Sequence, residues 1–434
     1  MVLKGLTQIE SILDGKSKGK VKIAGWVENL RSSGGVQFLI IRDGSGNIQA
    51  TVHKDGVDEK TFESGNKLTQ ESSVILEGEV KEDKRAPDGY EVKVKKLEVL
   101  QIAEEYPLGK KEHGVDFLLD NRHLWLRSRR QRAILKIRST VIKAATDYLD
   151  NQGFYRVDSP ILTPTCCEDS TTLFETKYPG GKAYLAQSGQ LYSEASIASL
   201  GKVYCFGPTF RAEKSKTKKH LAEFWMLEPE MAFYDFEDNL KLQEGLITSI
   251  VKEVLRKNRK DLEILERDIK KLEKIDAPFP RISYDDAIKL LQKNGFEIQW
   301  GEDFGAPQER FISQQFEKPI IIHRFPAKMK AFYMQPDPEN PELTLAADVI
   351  APEGYGEIIG GSQRISDLKL LEKKIKEFKL KKQDYEWYLD LRRYGSIPHS
   401  GFGMGLERIV MWLCGIENIR ETAPFPRTMG RMKP

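Results

Sequence analysis

Val203-Tyr-Cys-Phe-Gly-Pro-Thr-Phe-Arg211-Ala-Glu213 is answered, after a lysine-rich run, by Glu223-Phe-Trp-Met-Leu-Glu-Pro-Glu230, and this pair of segments decides how the rest of the chain is read. The first reads as a strand entering a loop, the second as its return. Residues two apart on a strand share a face. Arg211 and Glu213 therefore point to one side, and Phe224, Met226, Glu228 and Glu230 share a face on the return strand. An aromatic plane beside a guanidinium and a carboxylate is what a nucleotide needs: the ring stacks the base and the guanidinium grips phosphate as a fork. Taken alone, the segment is equally an Arg211–Glu213 salt bridge over a core phenylalanine.

A second stretch, His399-Ser-Gly-Phe-Gly-Met-Gly-Leu-Glu-Arg408, lies near the C-terminus. Glycines 401, 403 and 405 fall on one strand face and leave bare backbone against which a purine can lie. Leu406 to Cys414 then reads as a helix, with Gly415 as its C-terminal cap. Arg408 sits in the first turn, where a cation does not complement the helix dipole. Between the two stretches, Asp348 and Glu357 flank Ala351-Pro-Glu-Gly-Tyr-Gly356, ahead of Gly360-Gly-Ser-Gln-Arg364. Without those neighbours they are two surface acids in a chain rich in them.

Outward from this centre, residues 18–102 read as five strands separated by turn residues: Val21–Val27, Gln37–Ile41, Ile48–Val52, Ser73–Val80 and Glu91–Val99. That spacing predicts a small closed barrel, for which an OB-fold is the natural candidate. Residues 103–132 read as a polar linker or hinge. From 133 the pattern turns helical, with Ile134, Ile137, Val141, Ala145 and Leu149 at three- and four-residue steps, ending at Asn151-Gln-Gly153. The charged stretch from Arg256 to Lys274 reads as a solvent-exposed helix pair. Beyond 133, strands and helices are mixed, with strand pairs adjacent in sequence. The expected class is α+β, an antiparallel sheet flanked by helices. The domains are then 1–102, the linker 103–132, and 133–434.

A chain of 434 residues with 40% hydrophobic content has room for two or three cored domains. It has no apolar run near the ~20 residues that span a bilayer and no signal-peptide pattern at its start. Its four cysteines have no metal-ligand spacing, which fits reduced thiols in a cytoplasmic protein. A net charge of +3 argues against nonspecific coating of nucleic acid. It leaves room for local basic patches, of which Arg127–Arg132 and Lys214–Lys219 stand out.

The two central stretches resemble motifs 2 and 3 of class II aminoacyl-tRNA synthetases. With Gln187-Ser-Gly-Gln-Leu-Tyr192, Ala351–Arg364 and Trp387-Tyr-Leu-Asp-Leu-Arg-Arg-Tyr-Gly395, the whole chain is similar to bacterial-type asparaginyl-tRNA synthetases. The resemblance implies an N-terminal OB-fold that binds the anticodon, a class II catalytic domain, and ATP and Mg²⁺ as cofactors. It implies that Arg211 binds the α-phosphate and acyl carboxylate, that Glu213 meets the adenine amino group, and that Phe224 stacks the base. His220 and Arg408 would hold the γ-phosphate. Gly405 would join the ATP site, and Asp348 and Glu357 would carry Mg²⁺. Arg211 and Arg408 are then the catalytic pair. Asn151 to Thr163, with Pro160, resembles the motif that builds the class II homodimer.

The resemblance also implies an amino-acid site of Glu168, Ser188, Gln190, Glu228 and Arg364. Glu168 would hold the ammonium, with Gln190 as its second partner. Arg364 would donate to the side-chain oxygen. The nearest relatives are aspartyl enzymes, which carry a lysine where this chain has Ser193 and Asp where it has Glu228. An asparagine amide can donate to Glu228, whereas aspartate would set a second anion against it. Asp169 departs from the glycine usual in the loop that closes over the substrate. On the barrel, Phe38 and Gln49 match the aromatic and glutamine that read the central anticodon uridine, with Arg31 adding a contact. Lysines 214–219 would meet the tRNA acceptor end. The partners are then L-asparagine, ATP and tRNA(Asn), with no membrane. Three rival readings stay open: an aspartyl enzyme that also charges tRNA(Asn), a synthetase-derived binding protein without aminoacylation, and an asparagine-making paralogue.

Overall fold

The strand Lys20–Ser33 (β1) is long because it serves two neighbours in turn. Its first half pairs with Ser73–Glu82 (β4) and its second with Val36–Arg42 (β2), the register shifting between Val27 and Asn29. Such a bulge bends a strand and raises its twist. With Asn47–His53 (β3) and Tyr90–Gln101 (β5) the strands close a barrel in the order β1-β2-β3-β5-β4. Val21, Ile23, Leu39, Ile41, Ile48, Val74, Leu76 and Val92 fill it, joined by Ile9 and Ile12 of the helix Ile9–Leu13. The sequence pattern ends β1 at Val27 because no buried residue follows in the strand. The computed structural model describes residues 4–109, 111–168, 170–213 and 217–434. Asp169, Lys214 and Lys216 lie outside the described residues.

The chain divides into two units at Gly114/Val115. The short helices Val115–Asp120 and Arg122–Trp125 belong with the second unit, so residues 103–132 do not form one continuous connector. Arg122 shows why: buried, it donates to the carbonyls of Pro424 at 2.9 Å, Glu421 at 3.1 Å and Ala423 at 2.7 Å. Burial pulls its pKa down to about 10. Arg130, in the basic run, is likewise taken up by Glu421 at 2.8 Å.

The second unit is built on eight strands: Tyr155–Arg156 (β6), Lys202–Phe210 (β10), Glu223–Ala232 (β11), Arg281–Ser283 (β12), Ile320–His323 (β13), Ala346–Ala351 (β14), Gly356–Gln363 (β15) and His399–Gly405 (β16). A smaller sheet is made of Leu162–Thr163 (β7), Glu175–Tyr178 (β8) and Gly181–Leu185 (β9). The large sheet runs β12-β13-β14-β15-β16-β11-β10-β6. Its centre is antiparallel as expected, but both edges are parallel, β6 with β10 and β12 with β13. Each edge pair is joined through helices, and a crossover connection is what parallel pairing requires.

Strand alternation sorts the sheet into two faces. Leu227, Met231, Phe402 and Met404 face a core made with the helices Arg129–Asn151, Phe236–Lys257 and Leu406–Cys414. Ser128 caps the first of these helices, accepting from the Gln131 N–H, and Gly415 ends the last in the left-handed region at φ 68°. Phe224, Met226, Glu228 and Glu230 point to the opposite face. The stretch Arg256–Lys274 is less exposed than its composition suggested. Leu262, Leu265 and Leu272 are buried, and Arg267 is clamped by Glu353 at 2.5 and 3.0 Å.

Candidate active site

Two cavities open on that face and meet at Arg211. The first is lined by Arg211, Glu213, His220, Phe224, Glu357, Gly405 and Arg408, which are all the residues expected around a nucleotide. The Arg211 guanidinium lies 5.4 Å from the Phe224 ring centre, so ring and charge share one floor. Burial opposes its charge, but Glu168, Glu213 and Glu357 hold it protonated. Its buried Nε has no hydrogen-bond partner among the described residues. An unpaired buried donor is costly, and Arg211 lines both cavities. Glu213 forms no bridge to Arg211; its carboxylate lies 3.5 Å from His220 Nε2. Burial lowers the His220 pKa, outweighing the pull of Glu213 and reinforced by Arg408, Arg211 and Lys219. Arg408 donates to the Glu357 carbonyl at 3.0 Å and its carboxylate at 3.3 Å.

The three glycines of β16 divide their work. Gly403 and Gly405 line the first cavity, as expected of bare backbone. Gly401 does not; a Cβ there would stand 2.1 Å from a Glu230 carboxylate oxygen. Its bareness makes room for a buried ion pair, not for a purine.

That ion pair belongs to the second cavity. Glu168, Ser188, Gln190, Glu228 and Arg364 all line it. Arg364 is already engaged: Nη2 and Nε meet the two Glu230 oxygens at 2.5 and 3.3 Å, and Nη1 donates to Ser362 Oγ at 2.8 Å. Burial weighs against its charge, yet Glu230 holds it firmly protonated. Glu228 accepts from the Ser188 hydroxyl and, at 2.9 Å, from the Gly189 N–H. Burial still raises its pKa above the ordinary carboxylate value, with Glu168 adding to the rise. Gln190 directs its amide to Glu194 at 3.0 Å and lines the cavity. Ser193 is fully buried and lies outside the lining.

Asp348 and Glu357 sit on the hairpin β14–β15, where Asp348 is paired with Gly360. An added Cβ on Gly360 would be 3.0 Å from Glu357 Oε1 and 3.5 Å from Asp348 Oδ1, so the two carboxylates converge over bare backbone. Burial pushes the Asp348 pKa up to about 6 against the pull of Lys330. Burial also pushes Glu357 up, but Arg408, Lys330 and Arg211 outweigh it and hold it low.

Known proteins resemble this chain in sequence and in fold. The family model of class II tRNA synthetases (D, K and N) matches residues 114–429, and that of the OB-fold nucleic acid binding domain matches residues 21–100. The asparagine--tRNA ligase of Desulforamulus reducens is 58% identical over 415 residues, covering 96% of each chain. That of Pelotomaculum thermopropionicum is 57% identical over the same shares. The chain belongs to the asparagine--tRNA ligase family. The asparaginyl-tRNA synthetase of Pyrococcus horikoshii, solved with asparaginyl-adenylate, superposes with a TM-score of 0.96 at 46% identity over 100% of both chains. The Entamoeba histolytica synthetase, also solved with asparaginyl-adenylate, gives 0.89 at 33% identity over 96% of this chain and 97% of its own.

In this member of the family the barrel presents its own cluster. Arg31 is paired with Phe38 across β1 and β2, its guanidinium 4.7 Å from the ring centre. Phe38 is half-buried and stands outside the barrel core. Gln49 lies opposite Ile40, on the face that Phe38 shares, and donates to Glu91 at 3.1 Å. Sequence reasoning missed Tyr333, whose hydroxyl donates to Glu168 at 3.0 Å, and Lys330, 2.6 Å from Asp348. Lys219, expected in the patch that meets the tRNA acceptor end, binds the carbonyls of Gly354 and Tyr355 at 3.0 and 3.2 Å and lines the first cavity. Nothing in the local pattern Lys330-Ala-Phe-Tyr333 marks either residue. They reach the site on the loop between β13 and β14, whose Met334 bridges Arg364 just beyond β15.

Proposed function

We propose that this chain ligates L-asparagine to tRNA(Asn) in two steps. The asparagine α-carboxylate forms a bond to the ATP α-phosphorus and the bond to the β-phosphate oxygen breaks, giving asparaginyl-adenylate and pyrophosphate. The terminal ribose hydroxyl of the tRNA then attacks the acyl carbon, loses its proton, and displaces AMP. No protein nucleophile is needed, since positioning and charge stabilisation supply the first step. The observation that carries this reading is Arg211 lining both cavities, one ringed by the residues expected around a nucleotide and the other by those expected around an amino acid. There it binds both the attacking carboxylate and the α-phosphate. Arg408, which lines the first cavity, takes the γ-phosphate together with His220. Phe224 stacks the adenine and Glu213 accepts from its amino group.

In the second cavity Glu168, held by Tyr333, and the Gln190 carbonyl take the ammonium. Arg364 donates to the side-chain oxygen and Glu228 accepts from the side-chain amide. A site built to receive a donor rejects a substrate that lacks it, by as much as about 10⁴–10⁵. Two converging carboxylates suit Mg²⁺, which takes one or two carboxylates with phosphate oxygens. Asp348 and Glu357 would hold it, and when bound it neutralises phosphate charge. On the barrel, Phe38 and Gln49 read an anticodon base by stacking and edge contact, with Arg31 beside them. Exposed Tyr155, Ile161 and Leu162 in the segment 151–163 support a homodimer through that surface. No helix among the described residues is long and apolar enough to cross a membrane, and we assign the chain to the cytoplasm on its role in translation.

Pyrophosphate exchange tests the core of this reading, with asparagine, aspartate and lysine compared on the purified protein. Asparagine-dependent exchange is expected. Exchange driven by aspartate would overturn the assignment of Glu228, and none with any of the three would overturn the enzyme reading. A monomer mass independent of concentration would dispose of the dimer.

A further inference from the structure

We infer that Lys330 is a positioning residue that sets the Asp348 carboxylate in the orientation a divalent cation requires. The inference rests on the reading of Asp348 and Glu357 as the Mg²⁺ acids. The two oxygens of Asp348 have different neighbours. Oδ2 is engaged by Lys330 Nζ at 2.6 Å. Oδ1 is the oxygen turned over Gly360 toward Glu357 Oε1. One carboxylate is thus split between two tasks, and the oxygen left over is the one that faces its partner acid.

The lysine is well placed for this. It is only 17% exposed, and its ammonium lies 3.7 Å from the centre of the Phe325 ring, a cation–π contact that fixes the end of a flexible side chain. Phe325 is itself fully buried in a separate core with Ile320, Ile322 and Ile350, so the platform is rigid. The Lys330 ammonium lies beside Asp348 at 2.6 Å. It supplies one positive charge to a pair of acids that would otherwise repel each other at close range. Asp348 and Glu357 would hold the divalent cation, and Lys330 leaves Asp348 Oδ1 on the Gly360 side together with Glu357 Oε1.

The test is binding of Mn²⁺, a spectroscopic stand-in, measured by electron paramagnetic resonance in the presence of ATP and absence of amino acid. Lys330→Met, Lys330→Arg and Glu357→Gln are compared with the parent. Parent binding that Glu357→Gln weakens establishes the metal site itself; an insensitive parent sinks that reading rather than the role of Lys330. With the site established, Lys330→Met is expected to weaken Mn²⁺ about tenfold or more, and Lys330→Arg to restore part of the loss. The KM for Mg·ATP should rise in step while the KM for asparagine stays near the parent's. Unchanged or tighter Mn²⁺ binding by Lys330→Met would overturn the inference, tighter binding meaning that the ammonium competes for Asp348. Should Lys330→Met fail to fold, by circular dichroism, Lys330→Arg and Lys330→Gln carry the same comparison.

Discussion

The two cavities that meet at Arg211 hold their charges in opposite states. On the nucleotide side, Arg211 keeps a buried donor unpaired among the described residues, and Arg408 is anchored through Glu357 alone among them. On the amino-acid side, Arg364 has each nitrogen engaged and Glu228 already accepts two hydrogen bonds. The first side has fewer of its charged groups fixed by hydrogen bonds among the described residues. The second is complete beforehand and admits a ligand that fits its remaining lone pairs and protons. On the proposed roles, this difference separates grip from selection. Phosphate needs charge, which open arginines supply, while telling one small side chain from another needs donors and acceptors held in fixed directions.

Breaking the complete side should cost the fold as well as the chemistry. Arg364→Met leaves Glu230 buried without its partner, and loss of one member of a buried pair costs about 3–5 kcal/mol. Chemical denaturation should show that loss beside the loss of exchange; an unchanged midpoint would mean that Glu230 finds another partner. Breaking the open side should not touch stability. Arg211→Ala is expected to lower asparagine-dependent pyrophosphate exchange by about 10²–10³-fold, the scale for one preorganised donor, with the denaturation midpoint retained. Full exchange would end its assigned role.

Glu228→Gln sharpens the contrast, because it trades selection against stability. Selectivity for asparagine over aspartate should fall by about 100-fold or less, as one repulsive contact is removed. Stability should move the other way. Burial raises the folded-state pKa of Glu228 above the unfolded one, so its carboxyl stabilises the fold fully below the unfolded value. That contribution is lost as pH rises through the folded value, at about 1.4 kcal/mol for each pH unit that separates the two. The glutamine variant should therefore gain over the parent as pH rises above the ordinary glutamate range, and the gain should vanish in acid. A gap that does not vary with pH would show that the carboxyl is not what strains the site. The smallest effect belongs to the barrel. Phe38→Ala should raise the KM for tRNA by about 10- to 100-fold, from ~1–3 kcal/mol of stacking, and leave pyrophosphate exchange alone. An equal change in exchange would mean that Phe38 does not act through tRNA.

The nucleotide side was the more legible in sequence, for the same reason that it is open. Its residues lie on strand and helix with fixed periodicity, so spacing gave the shared faces of Arg211 and Glu213 and of Phe224 and Glu228, while their roles, and that of Arg408, came from the resemblance. Gly401 shows the limit: the pattern put it with Gly403 and Gly405, but what it clears is the Glu230–Arg364 pair. Its partner across the sheet lies on β11, far away in the chain, and no local rule shows which neighbour fills the space. Tyr333 and Lys330 were invisible because a loop residue has no period, and its direction is set by what it packs against.

By itself the sequence determined the five-stranded barrel, the sheet with its two-residue alternation, the order of the motifs and the identity of the charged groups available. These follow from local periodicity and from side-chain chemistry, which any segment carries with it. Only the tertiary structure decided which charges were already paired: Glu230 with Arg364, Lys330 with Asp348, Tyr333 with Glu168. A pair joined by long-range contact has an energy set by distance, burial and direction. None of these exists until the chain has brought the two residues together.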